Sequence, residues 1–80
     1  MLYAKFMYPD NGHDCDVKYA IAAGLKVGEK YEVEDLSMGQ SYTSISLKDI
    51  KGVFNSVQFD FYEDKQSVDI YRNPKYNPYY

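Results

Sequence analysis

Four consecutive residues near the start of the chain carry the side chains best able to do chemistry: His13, Asp14, Cys15 and Asp16. If a helix begins here, Cys15 lies near the positive end of its dipole, where a thiolate is favoured, and His13 could act as a base. The acidic residues on both sides of Cys15 disfavour the thiolate. Asp14 and Asp16 are also the residue type that caps helices. We therefore interpret the cluster as a helix cap and assign no catalytic residue.

The same cluster offers nitrogen, oxygen and sulfur ligands to a metal ion. Residues adjacent in sequence seldom all point at one ion, and a structural zinc site needs further ligands from a second cluster. The chain has one His and one Cys, so it has no second cluster of these residues. We predict neither a metal site nor a cofactor. The single cysteine also excludes an internal disulfide and suits a reducing cytoplasm, where we expect the protein to act.

Acidic residues form two groups that could be taken for the carboxylate pairs of acid–base enzymes. The groups are Glu32, Glu34 and Asp35, and Asp60, Glu63 and Asp64. The alternation of apolar and polar residues puts Glu32, Glu34 and Asp60 on the outward side of strands, where water solvates them. We therefore predict that these carboxylates form a soluble surface and that the protein is not an enzyme.

Tyrosine is the residue type in clear excess, with ten copies in 80 residues. Several fall on outward strand positions or in the tail, although an exposed Tyr is costly unless it has a role. Tyr anchors many protein interfaces because its ring gives contact area at low entropic cost, and it also stacks on nucleotide bases. The predicted binding surface consists of Tyr42, Tyr62, Tyr71, Arg72, Lys75, Tyr76 and Tyr79.

Three roles are open for the tail, residues 73–80. The tail can fold back as a plug, so that its Tyr rings cover the core. It can form a protein interface. It can also form a nucleotide pocket, in which Arg72 or Lys75 holds a phosphate while Tyr71 or Tyr76 stacks on the base.

The overall charge limits the classes of partner. The chain has 12 acidic and nine basic residues, a net charge of −3. Sequence-independent binding of a nucleic-acid backbone needs many cations on one face, so nucleic acid is not an expected partner. No apolar run approaches the roughly 18 residues of a membrane helix, and residues 1–5 do not open a signal peptide, so we expect no membrane partner. The chain should fold alone or as a small homo-oligomer.

The elements that must position these residues are mostly short strands. Period-two alternation predicts strands over residues 2–8, 30–36, 41–47, 56–62 and 68–70. The cleanest alternation, in a strand expected at the centre of the sheet, has Val57, Phe59 and Phe61 inward and Gln58, Asp60 and Tyr62 outward. Before that strand, Gly52 and Asn55 indicate a chain reversal.

One short helix is predicted near residues 16–24, because Asp14 or Asp16 can cap it and Gly24 can end it. Two turns of helix are unstable alone, so this helix must pack on a sheet. A chain of this length has room for one core, so residues 1–80 form a single domain. We predict a mainly β (α+β) fold, a small five-stranded antiparallel barrel or curled sheet with one short helix.

The middle of the chain has a recognisable order of residues. It runs Leu25, Val27-Gly28, Tyr31-Glu32-Val33, Thr43 to Leu47, Gly52, Phe54 to Val57, and Phe59-Asp60-Phe61. This order resembles uncharacterised short proteins of phages and prophages of Gram-positive bacteria, and more loosely the Src-homology-three-like barrels. The resemblance covers about half of the chain and its motifs are structural, so it assigns no site residue. It implies a protein that acts by binding, to a host defence enzyme, an immune signalling nucleotide or transcription machinery.

The residues and the resemblance together predict a non-enzymatic binding protein. Its expected form is a phage-encoded accessory or anti-defence protein that inhibits a host protein through a Tyr-rich surface. The alternative is a sponge that sequesters a nucleotide immune signal. A small enzyme that uses Cys15 and His13 ranks third.

Overall fold

The computed structural model describes residues 1–39 and 42–80. Its strands are β1 (Leu2–Phe6), β2 (Lys30–Met38), β3 (Thr43–Leu47), β4 (Ile50–Asn55), β5 (Phe59–Glu63) and β6 (Gln66–Ser67). The helix α1 covers Asp14–Ala22, and 3-10 turns cover Ser56–Gln58 and Ile70–Arg72. Ser41, the first residue of the predicted strand 41–47, lies outside the described residues. The fold is mainly β with one short helix, as predicted.

All six strands belong to one antiparallel sheet in the order β4-β3-β2-β1-β5-β6. The first residues of β2 pair with β1 and its later residues pair with β3. Between these stretches the register shifts at Val33 to Asp35, and a bulge of this kind bends a strand. Within the described residues the end strands β4 and β6 do not pair with each other. Of the two predicted forms the curled sheet is therefore correct, and the sheet does not close into a barrel.

The sheet has six strands where five were predicted, because β4 occupies the segment expected to reverse the chain. The reversal comes earlier, at Lys48 and Asp49, and Asp49 has a positive φ of 65° there. Leu47 then pairs with Ile50 across the hairpin. Asp tolerates this left-handed conformation better than most residues, which allows a tight turn without glycine.

The ring of Phe59 connects the aromatic part of the core. Its centroid lies 5.4 Å from that of Phe6, 6.3 Å from that of Phe61 and 6.5 Å from that of Phe54. The smaller buried side chains come from β1, α1, β3 and the second 3-10 turn: Ala4, Ala20, Ile45, Leu47 and Ile70. A domain this small buries a limited share of its surface, so large rings supply much of the hydrophobic stabilisation.

The inward positions predicted for residues 56–62 are correct for Phe59 and Phe61 and wrong for Val57. A 3-10 turn precedes β5, and side chains on such a turn do not alternate across a sheet. Val57 is consequently exposed, whereas Gln58, predicted outward, is buried. β5 lies between β1 and β6, so it is an interior strand as predicted, although it stands one place from the end of the sheet and not at its middle.

The helix α1 begins and ends earlier than the predicted 16–24, and Asp16 attaches it to the sheet. One oxygen of the buried Asp16 carboxylate accepts from the backbone N–H of His13 at 2.9 Å and from Nδ2 of Asn55 at 3.0 Å. Gly12 lets these groups approach, because it has φ +88° and an added Cβ would lie 2.8 Å from that oxygen. In residues 1–39 and 42–80 no helix is long and apolar enough to cross a membrane.

Opposing effects set the ionisation of Asp16. Burial is the largest of them and raises the pKa of this carboxyl, but the hydrogen bonds from Asn55 and from the His13 backbone together outweigh it, so the net pKa lies below its ordinary value. A carboxylate with a lowered pKa in the folded state stabilises the fold above its unfolded pKa, near 3.8. That stabilisation is lost as the pH falls through the lower folded-state pKa.

We expect Asp16→Ala to lower the free energy of unfolding by about 1–3 kcal/mol at neutral pH, because it leaves Asn55 and the His13 N–H without their acceptor. The matched change Asp14→Ala, on the exposed side of the same helix turn, should cost less than about 0.5 kcal/mol. Urea unfolding at pH 7 and pH 3 measures both. The difference between wild type and Asp16→Ala should shrink at pH 3, and equal differences at the two pH values would contradict the assignment.

Candidate binding site

A groove of about 670 Å³ runs between α1 and β4. Tyr19, Ala22 and Ala23 form its helix wall, and residues 49–54 form the opposite wall. Successive residues of a strand point to opposite faces of a sheet. A groove that lay on one face of the sheet would therefore touch only every second residue of β4. This groove touches every residue from 49 to 54. It therefore runs along the edge of β4, which is an outer strand of the sheet within the described residues.

Small residues keep the groove open over its floor, the buried ring of Phe54. Gly52 has φ +124°, a conformation that favours glycine, and an added Cβ would lie 3.4 Å from Cζ of Phe54. On the helix wall, Ala22 and Ala23 present only methyl groups. Since the Asp16–Asn55 hydrogen bond ties α1 to the far end of β4, the helix cannot move away from the strand there.

Two large apolar side chains line this groove and still face solvent. Tyr19 is 60% exposed and Val53 is 56% exposed. An edge strand also presents backbone N–H and C=O groups that have no partner within its own sheet. The groove thus combines apolar walls with a row of backbone hydrogen-bonding groups, which is the combination that binds an extended peptide.

Two of the predicted binding residues, Tyr42 and Tyr71, line a second cavity of about 290 Å³ together with His13 and Asn77. The Tyr71 hydroxyl shares a 2.7 Å hydrogen bond with the hydroxyl of buried Ser56. Burial, and then the negative charge of Asp16, raises the pKa of the Tyr42 hydroxyl. Asn55, which donates to Asp16, also lines this cavity.

The cations predicted for the tail are engaged with carboxylates. Arg72 lies 4.0 Å from Asp69, and Nζ of Lys75 lies 3.0 Å from Glu63. The Tyr76 hydroxyl donates to the same Glu63, and the hydrogen bonds from Tyr76 and Lys75 hold the pKa of that carboxyl below its ordinary value. The structure therefore does not gather the predicted tail residues around one phosphate-sized site.

The tail is divided between core and surface. Tyr76 packs against the core, and the buried Ile70 belongs to the 3-10 turn that precedes the tail in sequence order. Tyr79 and Tyr80 are exposed, at 62% and 68%. Tyr62 lies elsewhere, on the outer face of the sheet, where Nζ of Lys30 sits 4.5 Å above its ring.

The cluster at residues 13–16 forms the N-terminus of α1. His13 is the N-cap residue of α1 and Cys15 is exposed. No group of three or more potential metal ligands occurs in residues 1–39 and 42–80. Of the predicted surface carboxylates, Glu32 pairs with Lys48 at 3.4 Å and Asp60 accepts from the Tyr8 hydroxyl at 3.0 Å.

Sequence reasoning missed the two residues that project into the groove. The excess of tyrosine does not by itself distinguish Tyr19, which lies in the predicted helix, from the other nine. Val53 lies beside Gly52, in the segment where the sequence predicts a chain reversal. The signal that could have found it is the apolar pattern of Ile50, Val53 and Phe54, which is typical of a strand and was outweighed by Gly52.

Comparison with known proteins places the chain in a family. A family model described as bacteriophage T4 protein Y07B matches residues 1–80. The chain belongs to this family. It is therefore a small phage protein, which confirms the phage part of the resemblance, while its Gram-positive part stays a prediction. No curated protein and no solved structure matches the chain.

We expect Tyr71→Phe to lower the free energy of unfolding by about 1 kcal/mol, because it leaves the buried Ser56 hydroxyl without its partner. The same change at exposed Tyr79 should stay within about 0.5 kcal/mol of wild type. Chemical denaturation followed by circular dichroism measures both variants. Equal stability of Tyr71→Phe and Tyr79→Phe would show that the hydrogen bond between Tyr71 and Ser56 does not stabilise the fold.

Proposed function

We propose that this phage protein is a non-enzymatic accessory protein that binds and inhibits a host protein. The partner contributes an extended apolar segment, which lies in the groove between α1 and β4. The observation that supports this most directly is that the groove touches every residue from 49 to 54 and so presents a strand edge. A host defence enzyme is the expected target, because small phage accessory proteins commonly act on host machinery.

The shape of the groove favours an extended segment over a helix. A helix docks through side chains alone and leaves the backbone of β4 unpaired. A strand added to β4 can pair with that backbone, and its alternate side chains can then pack against Tyr19, Ala23 and Val53. Because Phe54 is already buried as the floor, a partner side chain that enters the groove continues the core of this protein.

The charges at the groove indicate a contact that depends weakly on salt. One acidic and one basic residue, Asp49 and Lys51, flank the strand wall, so neither sign dominates. The apolar contacts that remain are not screened by ions. A complex held in this way should survive salt that dissociates one formed by surface charges.

The test uses variants that place a charge in the groove without touching the core. Tagged wild type should retain one host protein in stoichiometric amount from a lysate, and Tyr19→Asp and Val53→Asp should lose it. The matched control is Ile21→Asp, because Ile21 is even more exposed, at 72%, and does not line the groove. We expect Ile21→Asp to retain the same protein as wild type.

Hydrogen exchange on the reconstituted complex tests the mode of binding. Amides of β4 should become protected when the partner binds, since an added strand hydrogen-bonds to that edge. Unchanged exchange in β4, retention of the partner by Val53→Asp, or no stoichiometric host protein with wild type would each contradict the proposal.

A further inference from the structure

A second surface has no part in the groove and carries an unfavourable arrangement of charge. It is the outer face of the sheet at β2, β1 and β5. Residues directly opposite on antiparallel strands share a face, and the register sets Lys5 opposite Lys30. Like charges placed directly opposite each other destabilise a sheet. Asp60 lies opposite Lys5 on its other side, so two lysines share one directly opposite carboxylate, and a bound anion would balance the remaining positive charge.

Two carboxylates of this face are paired with other cations. Glu32 pairs with Lys48 at 3.4 Å, and Asp64 pairs with the terminal amino group at 3.6 Å. Asp60 lies opposite Lys5 in the register, but its two oxygens lie 3.0 and 3.2 Å from the Tyr8 hydroxyl, which donates to them. None of the ion pairs found among residues 1–39 and 42–80 uses the lysines of this face, Lys5, Lys30 and Lys65.

Aromatic rings stand beside these lysines. Tyr3 lies opposite Tyr62 across β1 and β5, one step along the face from Lys5. Lys30 reaches across β1 to place Nζ 4.5 Å from the centroid of the Tyr62 ring. Tyr3, Lys30 and Lys65 also line a hollow of about 370 Å³ with Asp64. Two tyrosines on neighbouring strands and three lysines without an ion-pair partner among the described residues thus lie on the same face of the sheet.

We propose that this outer face binds a nucleoside phosphate, either as a free nucleotide or as a unit of a single-stranded nucleic acid. The base stacks on Tyr62 and Tyr3. In doing so it displaces the Lys30 ammonium from its place above the Tyr62 ring. Lys30, Lys5 and Lys65 then contact the phosphate. The site should bind a ligand that has both a base and a phosphate, because the tyrosine rings favour a base and the lysine pair favours an anion.

The net charge of −3 does not oppose this site. A charge count over the whole chain excludes a large cationic surface, but it does not say how charges are distributed. On this face the register brings Lys5 and Lys30 together. Two of their acidic neighbours, Asp64 and Glu32, pair with the terminal amino group and with Lys48, while Asp60 remains opposite Lys5. A single phosphate needs only such a local excess.

The test measures binding of two probes at about 50 mM salt: a labelled single strand of about ten nucleotides and unlabelled ATP. Wild type should bind at least one of them. The double variant Lys5→Gln/Lys30→Gln should bind about tenfold or more weakly, and Tyr62→Leu should also lose about tenfold. For the single strand, the slope of log K against log salt should fall by about 1.4 in the double variant, since each phosphate contact contributes about 0.7.

The control Lys18→Gln/Lys26→Gln removes the same charge from exposed positions on and after α1 and should bind within about twofold of wild type. Binding of the single strand alone identifies a nucleic acid, and binding of ATP identifies a free nucleotide. Failure of both probes to bind wild type, or an equal loss in the control, would overturn the proposal.

Discussion

The hydrogen-bonded carboxylate of Asp16 determines how the helix lies on the sheet. It accepts from the helix start at His13 and from Asn55 at the end of β4, so one buried side chain joins two elements that are distant in sequence. A helix of this length is unstable without such support. Because the attachment is at one end, α1 and β4 are held together there and enclose a groove along the rest of the strand. The cavity at Tyr42 also adjoins this attachment point.

Buried polar side chains connect separate parts of this protein. Asp16, Asn55, Ser56 and Gln58 are buried, and each makes at least one hydrogen bond to another part of the chain. These hydrogen bonds specify where α1 and the Ile70–Arg72 turn pack, since moving either one would leave a buried polar group unpaired.

The two faces of the molecule offer different kinds of recognition. The groove at the β4 edge has apolar walls and a strand backbone, and charges of both signs flank it. The outer face has two tyrosines opposite each other and a group of lysines, of whose acidic neighbours two are paired with other cations. Such separation within one small sheet follows from its topology. Curling buries one face, leaves the other uncovered, and leaves β4 at an edge.

The sequence by itself determined the mainly β class, the inward direction of Phe59 and Phe61, and the capping cluster before α1, because these depend on local periodicity and on residue type. It failed at Val57, where a 3-10 turn breaks the alternation, and at Val53, where glycine suggested a turn. Only the tertiary structure decided which side chains meet. Lys5 faces Lys30 and Tyr3 faces Tyr62 because of strand register, and register is set by the whole folded sheet.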